Sequence, residues 1–347
     1  MSGTSRALAR IDLGAIERNC ARLPKPLCAV VKADGYGHGP VATAALAGGA
    51  TWLAVATAGE ARELREQGID APVLVMGALT ADELKIAVEA DADVVAWTDA
   101  VADAAPRVHV KLDTGMGRLG TKDREQALRL AARGNVAGLM THFATADERG
   151  DDYFPAQLEE FRSFVEAVGR DDLIVHAANS AAALRDPASH FDMVRCGIAV
   201  YGMDPFHEDP AAHGLEPALS LHSWVAAVRR FEPGDSAGYG RRWTAPEPSW
   251  VATVPIGYGD GWRRGLTNDC DVLIRGRRHP LAGTVSMDNV TVALGADTDV
   301  GVGDPVVLIG SQGEERILAE EVARRLGTIN YEVTTGLLPR VRREHVR

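Results

Sequence analysis

From about residue 15 to residue 200 the chain repeats one pattern, a short apolar run followed by an amphipathic segment. The apolar runs are Leu27–Lys32, Trp52–Val55, Pro72–Met76, Asp93–Trp97, Arg107–Leu112, Val136–His142, Leu173–His176 and Met193–Cys196, eight in all. Runs with little polar alternation suit strands covered on both faces, and the segments between them suit crossover helices. Gly59–Gln67 and Thr80–Glu89 read most clearly as helices, the second opened by the capping-box pair Thr80 and Glu83. The charge-free stretch Gly39–Gly59 reads as a helix plus a buried strand, too rich in Ala, Gly and Thr for a membrane span. Eight such units predict an α/β fold with a (β/α)8 TIM-type barrel, whose chemistry belongs at the C-terminal ends of the strands and in the loops after them.

After about residue 215 the texture changes to period-two runs cut by Gly, Pro and Asp: Ser223–Val228, Trp250–Ile256, Asp271–Ile274, Asn289–Ala293 and Val306–Ile309. These predict a second, mainly β domain. The boundary falls in Asp204–Pro217, which holds three prolines and two histidines. The expected division is 8–210 for the barrel and 211–347 for the β-rich domain, with the extreme N-terminal strand joining the latter. A chain of 347 residues accommodates both, since a domain takes roughly 150 residues.

A net charge of −11, from 48 acidic and 37 basic residues, argues against nucleic-acid or anionic-membrane partners and for small molecules. Cys20, Cys28, Cys196 and Cys270 form no C-x-x-C pair, so neither a disulfide framework nor a metal site is indicated, which suits a reducing cytoplasm. The N-terminal segment lacks the apolar core of a signal peptide.

Unusual polar residues collect at the predicted strand ends: Lys32, then Lys111 with Asp113 and Arg118, then His142, then His176 to Ser180, then Arg195 to Ile198. Lys32 either caps its strand or, partly desolvated, offers a neutral amine that forms Schiff bases. Tyr36 follows four residues on, beside a glycine-rich backbone suited to a phosphate. The loops after strands seven and eight are the customary phosphate site of such barrels, and here they supply Ser180 and the N–H groups of Gly197 and Ile198. A phosphate site together with a Schiff-base lysine describes pyridoxal 5'-phosphate.

Nine ordered segments then resemble the alanine racemase family: A-V-V-K-A-D-G-Y-G-H-G at 29–39, K-L-D-T-G-M-G-R-L-G at 111–120, T-H-F-A-T-A-D at 141–147, H-A-A-N-S at 176–180, R-C-G-I-A-V-Y-G at 195–202, G-Y-G-R at 238–241, G-Y-G-D-G at 257–261, S-M-D at 286–288 and N-Y-E at 330–332. The resemblance implies a pyridoxal-phosphate enzyme that interconverts L- and D-alanine for peptidoglycan, acting as a homodimer with shared sites. It implies that Lys32 carries the cofactor and acts as one base, while Tyr239 of the second subunit acts as the other. Two bases on opposite faces remove the α-proton and return one without rotating the substrate. A phenol titrating near 10 is a weak base at neutral pH, so Tyr239 draws help from His142, itself linked to Arg195. Arg195 would donate to the pyridine nitrogen, making the cofactor a weaker electron sink and favouring reprotonation over transamination. Tyr36, Asn179, Ser180, Gly197, Ile198 and Tyr331 would surround the phosphate. Arg118 and the N–H of Met287 would bind the substrate carboxylate, Tyr258 would line the entrance, and Lys111 would either carry a carbamate that orients Arg118 or form an ordinary pair with Asp113.

Without the resemblance, His142 and His176 also read as strand-end histidines, and Tyr239, Tyr331 and Met287 as half-buried residues of the β domain. A racemase of broader specificity, for serine or basic amino acids, shares nearly all these segments, and a non-enzymatic pyridoxal phosphate carrier shares the first. The chain departs from the family in short connections at Arg22–Pro26 and Thr98–Pro106, which bear on barrel stability. It also has Thr284, Glu216 and His222 where basic residues are common, and the expected consequence is altered substrate access.

Overall fold

The computed structural model describes residues 5–347 and divides them into two compact units, one of residues 15–36 and 40–216, the other of residues 5–14, 37–39 and 217–347. The division at Glu216 lies near the end of the proline-rich segment, a few residues beyond the boundary expected from sequence. The first strand, β1 (Leu8–Asp12), belongs to the second unit.

In the first unit eight short strands follow in order: β2 (Leu27–Val30), β3 (Trp52–Val55), β4 (Val73–Val75), β5 (Asp93–Ala96), β6 (Val108–Lys111), β7 (Val136–Met140), β8 (Ile174–His176) and β9 (Val194–Cys196). Their spatial order is β8-β7-β6-β5-β4-β3-β2-β9, and every neighbouring pair is parallel. No ladder joins β8 to β9, but Asp192 N–H donates to the Val175 carbonyl at 2.9 Å and Arg195 N–H to the Ala178 carbonyl at 2.8 Å. These bonds close the sheet into the expected barrel. Val, Leu and Ala dominate the strands because branched and small side chains suit a pleat buried on both faces, and Leu27, Leu53 and Leu74 are wholly buried.

The helices begin where short-range chemistry says they should. Thr57 and Thr80 each accept from the N–H three residues on while Glu60 and Glu83 return the bond, two capping boxes that open helices Ala58–Glu66 and Ala81–Glu89. The stretch 39–59 forms helix Ala42–Ala47 and β3. The short connection Thr98–Pro106 forms a helix of six residues, Asp99–Ala104, which buries Ala102 and receives Arg133 on Asp99 and, at 2.5 Å, on Asp103. Glu216 joins Arg18 at 2.8 Å and Arg22 at 2.5 Å, a site that suits a carboxylate.

In the second unit β1 pairs antiparallel with Leu219–Trp224 and parallel with Arg342–Val346. A further sheet places strand Ser249–Val254 between Ala227–Phe231 and Val290–Gly295, both antiparallel to it. The run Ser223–Val228 is therefore not one strand. It breaks at Val225, whose N–H turns to the Asp304 carbonyl at 2.9 Å, and the chain passes from one sheet to the other. Hydropathy continues across such a crossing because both strands are half-buried. No helix of the described residues is long and apolar enough to cross a membrane.

Candidate active site

Lys32 stands two residues past the end of β2, where the backbone does something its composition did not announce. Ala33, Asp34, Gly35 and Tyr36 have φ of 53°, 53°, 57° and 54°, a full turn in the left-handed region. Such a turn costs about 1–2 kcal/mol per non-glycine residue, so the surroundings must hold it. Glu60 does so at its start: one carboxylate oxygen accepts the Ala33 N–H at 2.6 Å, and the other accepts Ala56 and Thr57 N–H at 2.8 and 3.0 Å. The glycine-rich segment is thus a fixed ramp. Burial, with the Arg118 charge adding to it, pulls the Lys32 ammonium below its usual value against an opposing pull from Glu60. A lysine in this state yields a neutral amine more readily than one in water.

At the end of the ramp Tyr36 is buried and its ring stacks on Tyr201 with centroids 5.0 Å apart. Its hydroxyl faces Gly197 so closely that a Cβ there would lie 2.3 Å from it, so only glycine fits. Gly197 N–H donates to Ser180 Oγ at 3.1 Å, and Asn179 accepts from Ala182 N–H at 3.0 Å, opening the helix Ser180–Arg185. Two hydroxyls and a bare backbone therefore converge beyond β8 and β9, with Ile198 next in the chain. The donor set suits a phosphate, and the glycine leaves the backbone approachable.

Arg195, in β9, is buried in the barrel and its guanidinium is gripped from several sides. Nη1 donates to the His176 carbonyl and lies 2.8 Å from His176 Nδ1; Nη2 donates to the Thr141 and Ala177 carbonyls at 2.7 and 2.9 Å and lies 3.3 Å from His142 Nδ1. The Nε–H takes part in none of these bonds. Burial lowers the guanidinium to about 10, still cationic at neutral pH. Burial, with Arg195 next in effect, holds both His142 and His176 well below the ordinary imidazole value, so both are neutral.

Lys111, at the end of β6, is buried, and burial together with the charges of Arg195 and Arg118 lowers it to about 8. Asp113 accepts the N–H groups of Gly115 and Gly117 at 3.1 Å and shapes the turn that carries Arg118, which is exposed. Lys32, Lys111, Arg118, His142 and Arg195 thus share one electrostatic field, and the hydroxyls of Tyr36 and Ser180 meet at Gly197.

The remaining candidates lie in the other unit. Tyr239 is 73 % exposed, and its carbonyl accepts from the buried Thr284 hydroxyl at 2.6 Å. Tyr258 N–H donates to the Ser286 carbonyl at 3.0 Å and Gly259 N–H to the Met287 carbonyl at 2.8 Å, so Tyr258 and Met287 lie on paired loops. Tyr331 opens the second residue of helix Asn330–Thr335 and is half-buried. Sequence reasoning missed Glu60, Asp93 and His109. The alternation along β6 could have flagged His109, which lies on the face of Lys111 and so points into the barrel.

A parallel eight-stranded barrel with these groups at its strand ends, carried on one chain with a β-rich unit, defines a two-part barrel enzyme. Residues 11–205 match the alanine racemase N-terminal domain and residues 218–345 its C-terminal domain, and the chain belongs to the alanine racemase family. It is 42% identical to alanine racemase 1 of Bacillus subtilis, covering 96% of this chain and 92% of that one. Its identity to the alanine racemase of Symbiobacterium thermophilum is 41%, over 99% and 98%. Among solved structures, the alanine racemase of E. faecalis superimposes with a TM-score of 0.91 at 38% identity, over 99% of this chain and 98% of that one. That of Bacillus anthracis, with bound L-Ala-P, gives 0.90 at 39% identity, over 100% and 96%.

Proposed function

We propose that this protein interconverts L- and D-alanine, with pyridoxal 5'-phosphate as cofactor, Lys32 and Tyr239 as opposed bases, and a cytoplasmic homodimer as the active form. The observation that carries the reading is the buried Arg195, a cation held among carbonyls and neutral imidazoles on the strand that neighbours the one leading to the lowered Lys32, with the Ser180 hydroxyl bonded two residues on at Gly197. Tyr36, Ser180, Gly197 and Ile198 would hold the phosphate, with Asn179 and Tyr331 nearby, Lys32 the aldehyde carbon, and Arg195 the ring nitrogen. When bound, the cofactor would supply a carbonyl carbon for the substrate amine and a conjugated ring that accepts electrons as the α-proton leaves.

The chain's own residues do the rest. Lys32 would remove or return the proton on one face, and burial lowers its ammonium in the direction that role needs. Arg195 stays charged and gives the ring nitrogen a hydrogen bond without a proton, which disfavours side reactions that need a long-lived negative centre. Arg195 Nη2 lies 3.3 Å from His142 Nδ1, and a proton on His142 Nε2 would offer a donor to a phenolate. The exposure of Tyr239 suits a residue that serves a second copy of the chain. Lys111 is half neutral near pH 8; its amine adds to carbon dioxide, releasing one proton, and the resulting carbamate supplies the anion that Arg118 needs to face the substrate carboxylate alongside the Met287 N–H, with Tyr258 at the entrance. The four buried thiols are free, which is compatible with a reducing compartment. D-alanine made this way would supply peptidoglycan synthesis.

The experiment is incubation of the protein and pyridoxal phosphate with L-alanine in deuterated water, following optical activity and α-deuterium together. Loss of both optical activity and the α-proton is expected. Deuterium uptake with chirality retained would refute Tyr239 as the second base, and no change in either would refute alanine as substrate.

A further inference from the structure

Barrels of this kind fill their interior with layers of branched apolar side chains. Here the interior also holds three polar ones in line: Asp93 at the start of β5, His109 in β6 and His176 at the end of β8, all buried. His176 Nε2 lies 2.7 Å from His109 Nδ1, and His109 Nε2 lies 3.1 Å from Asp93 Oδ2. The line has charged ends. Arg107 Nε donates to Asp93 Oδ1 at 2.6 Å at the end remote from the proposed site, and Arg195 Nη1 meets His176 Nδ1 at 2.8 Å beside it.

The ends fix every proton between them. A guanidinium only donates, so His176 Nδ1 must accept and its proton sits on Nε2. That proton goes to His109 Nδ1, so the His109 proton sits on Nε2 and goes to Asp93. Asp93 accepts because it is ionised: burial raises its carboxyl, but the bonds from His109 and Arg107 outweigh this and hold it below its ordinary value. No other assignment of tautomers satisfies all four groups, and in so dry a place an unsatisfied donor costs about 1–3 kcal/mol.

We propose that Asp93, His109 and His176 are positioning residues: the carboxylate of Asp93, acting through two imidazoles of fixed tautomer, sets the seat of the Arg195 guanidinium and hence the donor offered to the cofactor ring. The proposal rests on the reading that Arg195 faces that ring. The relay also accounts for polar side chains in a layer that packing alone would fill with leucine or valine. It makes the proton pattern a property of the whole barrel interior, anchored at its far end by an ion pair with Arg107 that reaches the surface.

Asp93→Asn tests this with a change of one atom's chemistry. The single amide oxygen is claimed by the Arg107 cation, which turns the amide N–H toward His109. His109 must then accept at Nε2 and carry its proton on Nδ1, His176 must do the same, and its Nδ1–H then opposes the Arg195 N–H. The carbonyls of Thr141, His176 and Ala177 still hold the guanidinium, so the fold survives while the seat shifts. Long-range proton–nitrogen spectra of the imidazoles, taken on the full-length protein with and without pyridoxal phosphate, should show Nε2–H tautomers at 109 and 176 in the parent and Nδ1–H tautomers in the variant. The dissociation constant for pyridoxal phosphate should rise roughly tenfold, the scale seen when a partner behind a ligating histidine is lost. Removing the competing cation as well, in Asp93→Asn with Arg107→Ala, frees the amide oxygen for His109 and should restore both the tautomers and the affinity.

A His176 that keeps its Nε2 proton in Asp93→Asn overturns the proposal, as does a reversed tautomer with unchanged affinity and unchanged cofactor absorption. Should Asp93→Asn not fold, His109→Gln decides: a carboxamide can accept from His176 and donate to Asp93, so His176 should keep its tautomer and affinity should stay within about twofold, and a reversed His176 overturns the relay. Arg195→Gln separates the two readings. If it leaves cofactor affinity unchanged, the placement of Arg195 at the ring fails while the tautomer result stands by itself.

Discussion

The two sets of residues proposed for one reaction are held in opposite ways. In the barrel unit Arg195, Ser180 and Tyr36 are buried and bonded several times over: Arg195 meets three carbonyls and two imidazoles, and Ser180 and Tyr36 close on the backbone of Gly197. Those of the β-rich unit are displayed. Tyr239 is 73 % exposed and Met287 52 %, and what is fixed there is the backbone, through Thr284 under Tyr239 and the paired loops of Tyr258 and Met287. At Gly257 a Cβ would lie 2.2 Å from the Ser286 carbonyl, so those loops admit no side chain between them. The difference teaches that the barrel groups are ready for a ligand within one chain. The displayed groups combine a fixed backbone with open side chains, as the proposed second copy of the chain would need.

That contrast can be broken by substitution, most severely at Lys32. Lys32→Ala should abolish racemisation, by roughly 10⁴-fold or more, and remove the covalent cofactor absorbance, with the thermal midpoint nearly unchanged; residual turnover within tenfold of the parent would show that the barrel lysine is not essential. Tyr239→Phe should cost roughly 10²–10⁴-fold in turnover and leave cofactor affinity intact. Mixed with Lys32→Ala under conditions that exchange subunits, it should regain part of the activity, and no recovery would place both bases in one chain.

A smaller effect concerns Lys111. Its folded-state value of about 8 lies below the ordinary lysine value, so the neutral amine predominates above pH 8 and is lost below it. With carbon dioxide present, KM for alanine should therefore rise as pH falls through about 8. Lys111→Met should show no such step and a KM roughly tenfold higher throughout, the scale of one hydrogen bond to a charged group. The same step in the variant would trace it to another group. The smallest change is Thr284→Val, which deletes the bond to the Tyr239 carbonyl. About 1 kcal/mol should appear as a several-fold loss in kcat with cofactor affinity unmoved, and equal kcat would show that the displayed loop holds its place without that bond.

Much of the barrel is legible along the chain because its signals are local. Each strand is a short apolar run, each capping box spans three residues, and Lys32 stands out because an ammonium ends a run that packing would keep apolar. The β-rich unit is less legible where one half-buried run continues into another, as at Val225, since hydropathy does not mark a change of sheet. The left-handed turn at 33–36 was hidden for a different reason. Ala33 and Tyr36 have no local preference for positive φ and Asp34 only a modest one, and Glu60, which holds the turn, lies 27 residues away from Ala33.

By itself the sequence determined where strands, helices and chemically unusual side chains fall, because those depend on neighbours within a turn or a strand. Only the tertiary structure decided which of those side chains share a charge and which proton each imidazole carries. His176 meets His109 across 67 residues and His109 meets Asp93 across 16. Nothing in any of these segments names the other two, because a hydrogen bond between side chains is specified by closure of the barrel, a long-range event that leaves no periodic trace in the chain.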